Sequence, residues 1–302
     1  SLRQGDLAAH RGGGGPGDRA STCARVRARF SFVAVSFRRL ENVPAWRAMA
    51  VHAWDAPRDP TVYGVIDVDA TNSLAFIEKL RAETGAKITL THLVGKAAAV
   101  AIAARPEVNA IIRRGRIYVR DSVDIFFQVA FDGGENLAGA KVSHVDAKSV
   151  VEIAAELAAC ASRIRVAKDH PTQETARRMA RLPPLLVKVA MQLGERLTYD
   201  FDLDRARLGV PYDAFGSAMV TSVAGFGLTV GQAPLFPPSR TPICLTVGAV
   251  RDAPAAVDGR VEVRPMLSIG ASFDHRVADG YQAGRMAKRF KEVLENPEKE
   301  LS

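Results

Sequence analysis

The chain has 302 residues, with 41 Lys and Arg against 33 Asp and Glu, giving a formal net charge of +8. Nine arginines, no lysine and three acids fall in residues 1–50, so +6 of the excess sits there and the other 252 residues carry +2. A nearly neutral body argues against nucleic acid as a partner, and the lack of about 18 uninterrupted apolar residues argues against a membrane span.

The elements can be taken in chain order. Residues 1–43 read as a disordered or weakly ordered Arg/Gly-rich extension. The run Gly12 to Gly15, followed by Pro16 and Gly17, cannot nucleate a helix or strand. Its Arg-rich, acid-poor character resembles a transit peptide, but the glycines spoil an amphipathic helix. From Pro44 strands and helices alternate. Thr61 to Asp69 is rich in β-branched residues and reads as a strand. Leu74, Ile77 and Leu80 give Asn72 to Thr84 a helical spacing. Thr89 or Thr91 is expected to cap a buried helix over His92 to Ala104, with Pro106 past its end. Arg116 to Val119 and Ser122 to Phe131 read as strands, and Asp132-Gly133-Gly134 as a turn. Ser149 is expected to cap an Ala-rich helix, Val150 to Ala167. Thr172 to Tyr199 is helical in composition, broken by Pro183-Pro184. Strands return at Ser217 to Val223, Pro242 to Val250 and Gly259 to Phe273, and a helix closes the chain from Asp279 to Glu295. The order predicts a mixed α/β fold without regular βαβ alternation.

The stretch with the most chemistry is Ser272 to Gly280, which contains FDHRVADG. His275 ends an apolar strand, and Asp279 sits four residues later as a candidate N-cap. A histidine held in a tight strand-to-helix turn has the fixed orientation a general base needs. Cys23, Cys160 and Cys244 are scattered without C-x-x-C spacing. That argues against a disulfide framework or a zinc site and fits a reducing, bacterial-type cytoplasmic setting.

FDHRVADG resembles the signature of the acyltransferase component of 2-oxo-acid dehydrogenase complexes, a family related to chloramphenicol acetyltransferase. Gly216 to Gly227 (GSAMVTSVAGFG) is similar to its Gly-Thr-Phe-Thr-Ile-Ser-Asn-Leu-Gly segment. Pro237-Pro238, the strand Ile243 to Gly248, TLTHLVGKAAAVAIAARPEVNA (89–110), VYGVIDVDAT (62–71) and VDIFFQVAF (123–131) follow in family order. The resemblance covers about Trp46 to Pro297.

The resemblance implies an α/β fold of the chloramphenicol acetyltransferase kind, a two-layer α+β sandwich with a mixed sheet packed by helices. It implies thiol-dependent acyl transfer with coenzyme A or acyl-CoA as substrate and no metal. His275 matches the base, and Asp279 matches the acid that holds the turn together. The oxyanion hydroxyl falls on Thr221, with Ser222 one residue along as the alternative. It implies a homotrimer or trimer-based assembly, with the histidine of one subunit facing the hydroxyl of the next. Arg47 is a candidate partner for Asp279. Three departures stand out. The first is that no lysine precedes Lys79, so a lipoyl arm is expected on a separate lipoyl-domain protein. In addition, residues 166–214 form a helical insertion in the domain 44–302, and Gly134 to Lys141 replaces a family segment along the substrate channel. Two other functions fit the same residues: a non-catalytic trimeric core, or transfer to a hydroxyl or amine acceptor.

Overall fold

A computed structural model describes residues 59–131, 136–166, 183–201 and 212–301, all within one compact unit, 58–302. The expected turn at 132–134, the stretch 172–182 and Arg47 lie outside the described residues.

The strands are β1 (Thr61–Asp69), β2 (Ala110–Arg113), β3 (Arg116–Val119), β4 (Ile125–Phe131), β5 (Asn136–Val142), β6 (Ala218–Ser222), β7 (Ile243–Val247), β8 (Arg251–Val257) and β9 (Arg260–Asp274). The helices are α1 (Thr71–Thr84), α2 (Leu90–Ala103), α3 (Val150–Val166), α4 (Pro184–Tyr199), α5 (Gly280–Glu295) and the short α6 (Pro297–Glu300). Seven strands form one sheet in the order β1-β9-β7-β6-β4-β5, with β8 added along the far half of β9. β6 runs parallel to both β4 and β7, and the other pairings are antiparallel.

Alternation sorts the sheet into two faces. Val68, Ile125, Phe127, Val220, Leu245 and Ile269 point into one core with helices α1, α2, α3 and α5. That accounts for the two-layer mixed sheet and helix architecture. α2 carries apolar residues on nearly every side because it lies between the sheet and α5. It approaches β4 at Gly95, where a Cβ would meet the ring of Phe127. The opposite face carries Gln128, Thr221, Thr246, Ser268 and Ser272, and the loop 223–242 lies across part of it.

Three strands exceed the sequence reading. β2 pairs with β3 through the two-residue turn Arg114-Gly115, both at positive φ (48° and 72°), the arrangement that matches the twist of a tight hairpin. β8 pairs with β9 through Asp258-Gly259, again both positive. Its sequence RDAPAAV is poor in strand formers, and its Pro254 is tolerated because β8 is an edge. β5, NLAGAKV, is Gly- and Ala-rich and is held by pairing with β4.

Candidate active site

His275 is placed by two backbone bonds at the end of β9. Asp274 N–H donates to the Pro242 carbonyl at 2.9 Å, and His275 N–H donates to the Pro60 carbonyl at 3.0 Å. The chain then turns. Val277 and Ala278 N–H both donate to the Asp274 carbonyl (2.9 and 3.0 Å). The Asp274 carboxylate accepts from Arg276 through its backbone N–H (3.0 Å), Nε (3.0 Å) and Nη2 (2.7 Å). This ion pair raises the Arg276 pKa further. The imidazole of His275 is left exposed at the rim.

Asp279 is the N-cap of α5. Its Oδ1 accepts from Tyr281 and Gln282 N–H (2.7 and 3.2 Å), and its own N–H donates to Gln282 Oε1 (3.1 Å), a reciprocal capping box. The acid therefore fixes where the helix starts and how the turn bearing His275 closes.

Thr221 lies in β6, half-buried, between Gln128 of β4 and Thr246 of β7. All three side chains share the face away from the helices. No hydrogen bond occupies the Thr221 hydroxyl among the described residues, and its buried neighbour Thr246 Oγ1 has no partner either. Ser222 is engaged locally: its hydroxyl lies 3.4 Å from the Val247 carbonyl and accepts from Ala224 N–H at 3.4 Å. The two hydroxyls thus differ in what they already hold: that of Ser222 is engaged in its own turn and that of Thr221 is not.

Thr221 and His275 do not meet within one chain. Thr221 pairs with Thr246, which pairs with Gly270, and His275 lies five residues further along β9. At about 3.3 Å per residue and about 4.8 Å per strand, the two are roughly 19 Å apart.

Beside His275 opens a cleft of about 420 Å³, lined by Asp59, Pro60, Asp274 and Arg276 on one side and by Glu195, Asp200 and Arg240 on the other. No motif signals this second wall, because Glu195 and Asp200 come from the insertion. Hydrogen bonding to Arg240 lowers the Asp200 pKa. Burial works against the charge on Arg240, but its bonds to Asp200 and Glu195 outweigh it and raise the pKa. Burial pushes the Cys244 thiol up to about 11, so it stays protonated.

The two-layer mixed sheet and its strand-to-helix turn define the class as the α/β fold of dihydrolipoamide acetyltransferase catalytic domains. A probable dihydrolipoamide acetyltransferase from Listeria monocytogenes superposes with a TM-score of 0.60 at 21% identity, over 89% of this chain and 99% of that one. The Azotobacter vinelandii dihydrolipoamide acetyltransferase gives 0.59 at 24%, over 88% and 95%. The chain itself belongs to the family described as 2-oxoacid dehydrogenases acyltransferase (catalytic domain), whose model matches residues 41–177 and 213–302. Among curated relatives, the succinyltransferase component of the 2-oxoglutarate dehydrogenase complex from Staphylococcus aureus is 27% identical over 77% of this chain and 46% of its own length. The mitochondrial one from Saccharomyces cerevisiae is 25% identical over 80% and 43%. The chain spans under half the length of these relatives.

Proposed function

We propose that the protein transfers an acyl group between coenzyme A and a dihydrolipoyl thiol carried by a lipoyl-domain partner. His275 accepts the thiol proton, and the thiolate sulfur attacks the thioester carbonyl carbon. The carbonyl electrons move to oxygen, and the Thr221 hydroxyl donates to that oxyanion. Collapse expels the other sulfur, which takes the proton back from the imidazolium. Protons and electrons balance without a metal or redox partner.

The observation that carries this reading is the turn itself. An exposed histidine stands on a backbone whose N–H is held by the Pro60 carbonyl, in a turn closed by the capping box of Asp279, in a chain of this acyltransferase family. In the Azotobacter vinelandii enzyme, the residues investigated for catalytic roles are a serine, a histidine and an asparagine, the last two four positions apart. His275 and Asp279 have the same spacing.

The distance between His275 and Thr221 makes the reading an assembly of copies. One subunit supplies the base and the next supplies the hydroxyl, in a ring of the kind a heterologous, head-to-tail contact closes. A trimer or a trimer-based core satisfies this.

The test is acyl transfer from acetyl-, succinyl- and branched acyl-CoA to free dihydrolipoamide. His275→Ala is expected to lower kcat by about 10²–10⁴-fold, with circular dichroism unchanged. An unchanged rate in the variant would overturn the assignment. Absence of transfer in the wild type with every donor would favour a non-catalytic core.

A further inference from the structure

The family match leaves residues 178–212 uncovered, yet the C-terminal turn of α4 inside that stretch is fastened to the cleft beside His275. Arg240 is the fastener. Its Nε donates to Glu195 Oε1 at 2.7 Å, and its Nη1 donates to Asp200 Oδ1 at 2.6 Å and to the Ile112 carbonyl at 3.1 Å. Its Nη2 donates to Asp200 Oδ2 at 3.2 Å. The guanidinium also lies 5.2 Å from the centre of the Tyr199 ring. Such a planar fork is a geometry that lysine cannot supply.

The surroundings reinforce it. Tyr199 OH donates to the Ser239 carbonyl at 3.0 Å. The last carbonyls of α4, Tyr199 and Asp200, accept from the guanidinium groups of Arg113 and Arg114 at the β2–β3 turn, where a cation complements a helix C-terminus. Arg240 itself has φ +50°, a backbone conformation that side-chain-bearing residues rarely take.

Two residues on, the Pro242 carbonyl receives the N–H of Asp274, and the next residue is His275. The path from the insertion to the base is therefore short: Glu195 and Asp200, Arg240, Pro242, Asp274, His275. We propose that Arg240 is a positioning residue through which the α4 insertion holds the catalytic turn in register. The proposal rests on His275 being the base.

Arg240→Met, Asp200→Asn and the double variant are compared in the full chain, by steady-state kinetics and by amide exchange. Each single variant is expected to lower kcat by about tenfold or more, with KM for acyl-CoA and dihydrolipoamide nearly unchanged, because a misplaced reacting group costs rate rather than binding. The double variant should be no worse than the poorer single one, since both cut the same link. The N–H groups of Asp274 and His275 should exchange faster in each.

Unchanged kcat with unchanged exchange would overturn the proposal while leaving His275→Ala to judge the base. A raised KM at constant kcat would overturn it too, assigning α4 to binding alone. If the wild type transfers no acyl group, the exchange comparison still decides the link. If Arg240→Met does not fold, Tyr199→Phe, which removes only the bond to Ser239, is expected to shift kcat and exchange in the same direction by less. No shift there would overturn the proposal.

Discussion

At the scale of single residues, the hydroxyls of Thr221 and Ser222 differ in what they already hold. Ser222 is engaged in its own turn, whereas the Thr221 hydroxyl makes no bond among the described residues and faces away from the core. Thr221→Ala is therefore expected to lower kcat by about 10²–10³-fold, and Ser222→Ala to change it little. Equal losses in a dihydrolipoamide assay would contradict the assignment. The turn bearing His275 and its N-cap Asp279 were legible in the sequence because an apolar strand runs into an Asp-Gly helix start four residues past the histidine. Thr246 was not: nothing in ICLTV marks one hydroxyl as buried without a partner, and only the register beside Thr221 gives it meaning. Arg240 and Asp200 were equally silent, since their pairing joins residues forty positions apart across an insertion.

At the scale of elements, the sequence read most helices and the apolar strands correctly because their burial leaves a period. It missed β2, β5 and β8 because pairing with neighbours, rather than propensity, makes them strands. The site depends on such close approaches. The loop that follows Thr221 lies flat on the sheet at Gly270, where an added Cβ would meet the Gly231 carbonyl. Gly270→Ala is expected to destabilise the fold by about 1–3 kcal/mol. In the neighbouring strand, Gly64→Ala should be neutral or stabilising, since a Cβ there meets nothing. Chemical denaturation of both variants checks the contrast. Helix α2 carries a second dependence. His92 Nδ1 accepts the N–H of Thr89 at 3.1 Å, and burial lowers the His92 pKa below its ordinary 6.5. The unfolded chain takes up this proton first, so stability falls as pH drops below about 6.5 and levels off once the folded form is also protonated. Denaturation midpoints between pH 5 and 8 should show this slope, and His92→Gln should reduce it.

At the scale of the whole molecule, the proposed pairing of His275 with Thr221 cannot be made within one subunit. The sheet that orients both His275 and Thr221 also holds them at opposite ends, roughly 19 Å apart by the strand and residue spacings of a sheet. The stiffness of a packed sheet prevents that gap from closing within a chain. The strand-to-helix turn with its capping acid was readable from residue spacing, and the family from the resemblance of its motifs, but the gap is a property of strand order and register, which pattern alone does not give. The most direct measurement is complementation between two inactive variants. His275→Ala and Thr221→Ala chains are co-expressed with different tags, and mixed assemblies are purified and assayed. If each site joins the base of one copy to the hydroxyl of the next, every mixed trimer has one productive boundary in three, and so about a third of wild-type activity. Activity no higher than that of the two variants alone would contradict a shared site.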